Sequence, residues 1–485
     1  MRWAKDALAP PPALPPPSRS PARLPDRLIV APTSPWPRRG WTLALLTIIL
    51  MGGGNWTMPL PGFVAQLTAC AVIVCALGSR HSVLTRPMVG MDRFLIAVLG
   101  LIALQLVPLP PALWHAFPGR DVARAIDEAL LPAARWRPLT LDPGATLGAL
   151  VALLPPLSIY LAVRTAPRER IAALLDALPI AFVASAIVAF AQLALGQRGW
   201  LRLYPLGDYD FPIGFFANHN HQAAFLACML PLLALWLGRL DPAARRARLM
   251  GQSADTVLLI AAGLVTALCL VTGSRAGVVL LVLSLAGTSM AWQRQSAQAG
   301  AQWIMRSLLP MGLIVLCIWL MTSNGVERLA TPFLRGAVEQ DQRWTFWRDV
   351  SHAAAAFWPV GSGLGTFVEA FAMHEPLVSV SERYLNHAHN DYLDIALEAG
   401  LPGLVFAAAA LWLTLAAAWR NNHSARGGRQ RMEVILTLLP PALIALHSFV
   451  DYPARTHAIG ALALLCWAMA ANRTTPNRPR EQHGS

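Results

Sequence analysis

Apolar residues along this chain fall into long, nearly unbroken runs rather than the short alternations of half-buried elements. Twelve runs stand out, at 41–58, 62–78, 92–109, 146–163, 172–195, 222–238, 256–272, 277–293, 307–322, 399–419, 433–449 and 457–472. Each comes close to the ~20 residues with which an α-helix crosses a bilayer. The period-2 pattern of a membrane barrel is absent. The predicted fold is therefore all-α, a polytopic membrane protein of about twelve transmembrane helices. Within the first run the segment MGGGNW, 51–56, predicts a bend or a re-entrant turn.

Composition agrees with the pattern. The 485 residues are 55% hydrophobic and 13% charged, whereas soluble domains carry about 25% charged residues. A net charge of +13 invites a nucleic-acid reading, but the arginines lie in short clusters between apolar runs, which is how topology signals look. With the N-terminus in the cytoplasm, 26 basic residues fall inside and 13 outside. The six cysteines all lie within apolar runs and form no CxxC pair, so they read as small buried hydrophobes. The expected organisation is a disordered Pro/Arg-rich cytoplasmic tail over 1–40, a transmembrane domain over 41–472 with an outer loop at 323–398, and a short cytoplasmic tail over 473–485.

This orientation places nine of the twelve histidines on the outer side. It also leaves three long outer segments, 110–145, 196–221 and 323–398. Chemistry is expected at that face, where five stretches converge: FPIGFFANHNHQAAF (211–225), TGSRAG (272–277), DQRWTFWRDVSHAAAAFWPVGSGLGTF (341–367), NHAHNDYLDIALEAGLPG (386–403) and HSFVDYPARTH (447–457).

Arg275 sits in a tight turn flanked by glycines, on the side where arginine is disfavoured. A planar, permanently charged guanidinium suits a bidentate phosphate clamp, and the glycines let backbone amides approach the same anion. Segment 341–358 reads as an amphipathic interfacial helix with Trp344, Trp347, Ala354 and Trp358 on one face and Arg343 and Arg348 beside it. In the fourth stretch Asn390 is the expected N-cap. Gly400 fits a helix C′ position and Pro402 the first turn of the next helix. Asp391, Asp394 and Glu398 then share a face, and His389, just ahead of the helix, is placed to accept a proton from a hydroxyl.

Two other readings compete. His219, His221, His387 and His389 form two HxH pairs whose side chains share one side in extended chain, an arrangement open to zinc. A lipid-linked glycan transporter or flippase is the other, although transporters place ionisable groups within spans and Asp176 is the main one here.

Taken together, the motifs resemble the bacterial O-antigen ligase and polymerase family of membrane glycosyltransferases. His389-Asn390, followed nine residues later by Gly400-Leu-Pro-Gly403, matches its most specific pattern. FFANHNHQAAFL, TGSRAG, DQRWTFWRD…PVGSGLGTF and HSFVDY are similar to its other segments. The chain departs from the family's arginine–leucine spacing, with Val279 four residues after Arg275 and Trp347 four after Arg343. The resemblance implies a GT-C-like, metal-independent enzyme without cofactors. It would move a glycan from undecaprenyl diphosphate to an acceptor sugar hydroxyl at the periplasmic face of the inner membrane, in lipopolysaccharide or exopolysaccharide synthesis. His389 and Arg275 are then the expected catalytic residues, with Asn390 and Asp391 orienting His389. Arg343, Asn218, His219, Asn220, His221, Asn390, Asp391, His387, His447 and Asp451 are expected around the substrate, His447 and Asp451 completing its rim.

Overall fold

A computed structural model describes residues 36–54, 59–78, 87–130, 135–195, 201–204, 211–241, 243, 247–294, 342–380 and 384–474. The expected run at 307–322, most of the N-terminal tail and nearly all of the C-terminal tail lie outside these residues. So does the outer loop up to residue 341. The described chain falls in one compact unit, Ser34–Ser485.

Helices dominate. They are α1 (Arg38–Met51), α2 (Pro59–Gly78), α3 (Gly90–Gln105), α4 (Pro111–Trp114), α5 (Asp121–Leu130), α6 (Pro143–Ala152), α7 (Leu154–Arg164), α8 (Arg168–Leu195) and α9 (His219–Arg239). They continue as α10 (Ala254–Val271), α11 (Arg275–Gln293), α12 (Gln342–Ala356), α13 (Phe367–Ala372), α14 (Asp391–Ser424), α15 (Gly428–His447) and α16 (His457–Thr474). A 3₁₀ turn at Pro453–Arg455 precedes α16. Two short antiparallel strands, β1 (Pro108–Leu109) and β2 (Arg137–Pro138), are the only β-structure among the described residues.

Eleven of the twelve expected runs fall on these helices, and among the described residues seven helical segments are long and apolar enough to cross a membrane. The edges differ in instructive ways. The first helix stops at Met51, seven residues before the expected end. Gly52 and Gly53 then let the chain press against its neighbours: Ala458 N–H donates to the Gly52 carbonyl at 3.1 Å and Ala217 N–H to the Gly53 carbonyl at 3.1 Å. The fourth run is two helices, α6 and α7, meeting around Leu153.

Packing is organised around α9, which is buried almost along its whole length between α8, α10, α11 and α15. Small residues allow the close approaches. A side chain at Gly277 of α11 would meet Ala223 of α9 at 2.5 Å, the small-residue contact through which apolar helices gain dispersion energy in lipid. By contrast α14, beyond its first turns, exposes Leu401, Val405, Leu411, Trp412 and Leu415.

The bundle has two chemically different ends. At one, cations collect on acids: Arg38 and Arg248 pair with Asp176, which also accepts from Trp236 Nε1 at 3.0 Å. Arg239 and Arg473 pair with Glu433, and Arg164 with Asp92 at 2.7 Å. Asp176, which the sequence shows as a charge inside a run, is thus partnered by two arginines and an indole. The other end carries the histidines.

Helix α12 also corrects an expectation. Its buried stripe is Val350, Ala353, Ala354 and, just beyond the helix, Phe357, at the i, i+3, i+4, i+7 spacing of a helix face. Trp358 lies past the helix end and is exposed. The glycine-rich turn that follows docks on α14: Ser362 N–H donates to the Leu397 carbonyl (3.0 Å) and Gly363 N–H to the Glu398 carbonyl (2.8 Å). This contact breaks α14 at Gly400, whose φ of 57° and ψ of −144° are non-helical, as the Gly-x-Pro spacing predicts.

A side chain at Gly400 would collide with the Pro359 carbonyl oxygen, in an essentially glycine-only backbone region that costs other residues about 1–3 kcal/mol before any clash. Gly400→Ala is expected to lower the unfolding temperature of the purified protein clearly. Gly263→Ala, where nothing lies within 4 Å of the added methyl, should leave it unchanged or raise it slightly.

Candidate functional site

The histidine-bearing end is built from the N-termini of α9, α11 and α14 and the turn between α15 and α16. Each helix start is fixed by a local cap. Asn218 accepts from Asn220 N–H at 2.7 Å, Ser274 from Gly277 N–H at 2.9 Å, and Asn390 from Tyr392 and Leu393 N–H at 3.0 and 3.3 Å. Such caps satisfy amides that have no partner within the helix.

Direct contacts join all five stretches. Ser274 Oγ donates to Asn220 Oδ1 at 2.7 Å. His221 Nε2 lies 3.6 Å from Asp451 Oδ1. Trp347 Nε1 donates to the Ala388 carbonyl at 2.9 Å. Ser448 Oγ donates to Asp391 Oδ2 at 2.7 Å.

Arg455 is the organising cation. Its guanidinium lies 3.3 Å from Asp391 Oδ1, 3.3 Å from Asp394 Oδ2 and 2.9 Å from Glu398 Oε2. The three acids recur at i, i+3 and i+7, so one face of α14 meets the 453–455 turn. Asp394 and Glu398 are fully buried. Asp394 further holds the approach to the helix, with Oδ2 2.9 Å from His387 Nδ1 and Oδ1 accepting from Ala388 N–H at 2.8 Å. Burial opposes the charge on Arg455, but the surrounding carboxylates, Glu398 first, raise its pKa above the ordinary arginine value.

Asp451 is the second centre. It is fully buried, and its Oδ1 lies 3.4 Å from His389 Nδ1 and 3.6 Å from His221 Nε2. It also accepts from Tyr452 N–H at 2.9 Å. Burial alone raises such a carboxyl. The two histidines outweigh it and hold Asp451 well below the usual carboxylate range. The Tyr452 ring packs against three imidazoles, with centroids 4.3 Å from His387, 4.9 Å from His221 and 5.1 Å from His389. Its hydroxyl engages Asn386 and Asn218.

His389 itself has φ 50°, a left-handed conformation that is uncommon outside glycine. The bonds to Ala388 on one side and the Asn390 cap on the other hold it there. Such outliers concentrate at functional positions. Its Nδ1 is turned to Asp451, and the side chain is 29% exposed.

The remaining expected residues are placed as follows. Arg275 is the first residue of α11 and is exposed. It adjoins Ser274, and hence Asn220 and the His221–Asp451–His389 group. The Gly277 amide expected to approach an anion is instead occupied by Ser274. His219 packs on Phe211, with ring centres 4.9 Å apart. His447 is buried at the end of α15, and its carbonyl accepts from Asp451 N–H at 3.0 Å. Arg343 falls in the first turn of α12, with its side chain outside the described part.

Three expectations change. Asp391, read as orienting His389, turns instead to Ser448 and Arg455, because it begins α14 on the face that meets the 448–455 turn; Asp451 stands beside His389. Asp451 is a buried centre rather than a rim residue. The extended HxH geometry fails for His219 and His221, since α9 is already helical there and i, i+2 side chains diverge by about 200°. Sequence reasoning does not single out Arg455 and Tyr452, although both lie in HSFVDYPARTH. The signal was arithmetic: three acids on one helix face call for a cation, and Arg455 is the only arginine or lysine in that turn.

Outside the bundle, Arg120 ties the 110–142 segment to the site. Its guanidinium lies between Trp114 and Phe357, 5.6 Å from each ring centre, and donates to the carbonyls of Leu139 (2.7 Å) and Gly361 (3.2 Å). Burial pushes it down to about 10, so it remains charged at neutral pH.

These features define an α-helical membrane protein with a buried, acid-rich histidine site at one end of its bundle. Residues 258–408 match the family model described as O-antigen ligase. The matched segment includes Arg275, Arg343 and the 387–391 stretch, but not His221, Asp451 or Arg455. No curated protein matches the chain.

Two outcomes check this geometry. Arg455→Ala strands three buried carboxylates, and loss of one partner from a buried ion pair costs about 3–5 kcal/mol; a marked fall in unfolding temperature is expected. The depressed pKa of Asp451 adds stability above the unfolded carboxyl value of about 3.9, and that contribution is lost as pH falls through the lower folded value. Asp451→Asn should therefore flatten the acid limb of a stability–pH profile below about pH 4.

Proposed function

We propose that this chain is a membrane glycosyltransferase of the O-antigen ligase type. It transfers a glycan from undecaprenyl diphosphate to a sugar hydroxyl at the periplasmic face of the inner membrane, with both termini cytoplasmic and twelve spans. The reading is supported by Asp451 beside His389, by Arg275 following Ser274, whose hydroxyl bonds Asn220 next to His221, and by the match of residues 258–408 to the O-antigen ligase model.

The chemistry is a substitution at the anomeric carbon. The acceptor hydroxyl oxygen forms the new glycosidic bond, the bond from anomeric carbon to diphosphate oxygen breaks, and lipid diphosphate leaves. His389 takes the hydroxyl proton. Asp451 holds its ring and faces the imidazolium that forms, which supports a base whose orientation is set before reaction. Arg275 meets the charge growing on the diphosphate, aided by the positive end of α11; Arg343 is the second candidate. Fixed cations of this kind serve without a metal. Asn218, Asn220, His221 and His387 line the approach, with Tyr452 as the apolar floor between them.

Ligase and polymerase share donor and chemistry and differ in acceptor, a lipid-A core sugar or another lipid-linked repeat. A deletion strain separates them by its surface glycan. Lipid-linked polymer without long chains on lipid A indicates ligase, and single-repeat products indicate polymerase. Lipid-linked units stranded in the inner leaflet indicate a flippase and contradict the proposal.

His389→Ala and Arg275→Ala are expected to reduce transfer by at least the ~10²–10⁴-fold typical of a lost acid–base group, with membrane insertion intact. Arg275→Lys should recover only part, because the planar fork is lost. Activity should persist in EDTA. Wild-type rates in His389→Ala would falsify the base assignment.

A further inference from the structure

Helix α5 lies in the long segment between α3 and α6, and its sequence, DVARAIDEAL, divides cleanly. At about 100° per residue, Val122, Ala123, Ala125, Ile126, Ala129 and Leu130 occupy one arc, and Asp121, Arg124, Asp127 and Glu128 the other. A helix segregated in this way normally turns its apolar face to the core. Here no residue of the helix is buried: Val122 is 46%, Ile126 51% and Leu130 75% exposed. Trp136, just after it, is 65% exposed.

Only one edge of the polar arc, at Asp127, meets the protein, while Asp121 and Glu128 are exposed. Asp127 pairs with Arg137 of β2, and Arg124 pairs with Asp121 and Glu128 along the helix. Strand β2 in turn pairs with β1, three residues beyond the end of α3, and Thr140 N–H donates to the Gln105 carbonyl at 3.0 Å. The helix is therefore tethered at the level where α3 ends. There the outward surface is already apolar, through Leu104 and Val107 of the α3 end and Leu147 and Val151 of α6, all exposed. Helix α6 opens the candidate span Pro143–Arg164.

We propose that α5 is an interfacial helix, its Val122–Ile126–Leu130 face and Trp136 seated at the acyl-chain boundary of the leaflet on the site's side of the bilayer. Three observations favour lipid over another protein surface: continuity with the outward apolar surface of α3 and α6, the tether at the α3 end, and an indole beside the helix where membrane interfaces collect tryptophan. The polar arc carries three acids and one arginine, so attachment is hydrophobic rather than an attraction to anionic headgroups. Through Arg137 and Arg120, both stacked on Trp114, the anchored helix joins the segment that supports the Gly361 turn against α14.

The test uses the full-length chain in phosphatidylcholine nanodiscs, with its six cysteines replaced and a nitroxide label at position 122, 126 or 128. Lipid-soluble oxygen should broaden the labels at 122 and 126 several-fold more than a water-soluble nickel chelate does, with the order reversed at 128. Equal chelate access at all three positions, or shielding of 122 and 126 from both reagents, overturns the proposal. The second result would mean coverage by protein. Should the cysteine-free chain fail to fold, brominated lipid in the otherwise native protein gives the same answer. The quenchable emission should drop in Trp136→Phe, and unchanged quenching contradicts the seat.

Discussion

Three carboxylates on one face of a helix that continues into an apolar run repel one another and lose their hydration. Without a counterion that arrangement would not stay folded. Arg455 supplies the counterion from a neighbouring turn, reaching Asp391, Asp394 and Glu398 at once. Because the acids belong to α14 and the arginine to the turn before α16, the pairing clamps together the two segments that carry His389 and Asp451. Removing it would cost more than local stability. Asp394 also holds His387 and the Ala388 amide, and Glu398 offers its carbonyl to the glycine turn at 361–363.

The rest of the site follows from where helices begin. The polar stretches at 218–221, 274–275 and 389–391 all open helices at the same end. Capped starts carry partial positive charge and place side chains without committing them to the apolar interior. Glycines then bring backbones close enough for these starts to touch, as at Gly277 against Ala223 and Gly400 against Pro359. The strained backbone of His389 is held by bonds on both of its neighbours, so the imidazole is aimed before any substrate arrives.

Much of this was legible in the sequence, for physical reasons. Apolar runs that would be insoluble unless helical and packed account for twelve of the described helices, α6 and α7 sharing one run. The Asn390 cap and the Gly400 break were readable because few residues suit those backbone positions. Contacts across the fold were harder. Nothing local tells Asp391 to turn toward Ser448 rather than His389, or selects Asp451 as the carboxylate between two histidines. The aromatic face expected on α12 did not mark its packed side, because the interface of α12 with α14 uses small residues such as Ala353 and Ala354. The fully apolar face of α5 was passed over inside a segment read only as a long loop.

The account assigns a division of labour to one end of the bundle: a clamp of buried charge, a carboxylate shared by two histidines, and an exposed arginine at the head of α11. The most direct test is a density map of the full-length protein in nanodiscs with a non-hydrolysable lipid diphosphate glycan analogue bound. The expected result is phosphate oxygens within hydrogen-bonding distance of the Arg275 guanidinium, and room for the acceptor hydroxyl between the His389 ring and the anomeric carbon. A diphosphate resting elsewhere, with Arg275 and His389 opening onto separate cavities, would contradict it.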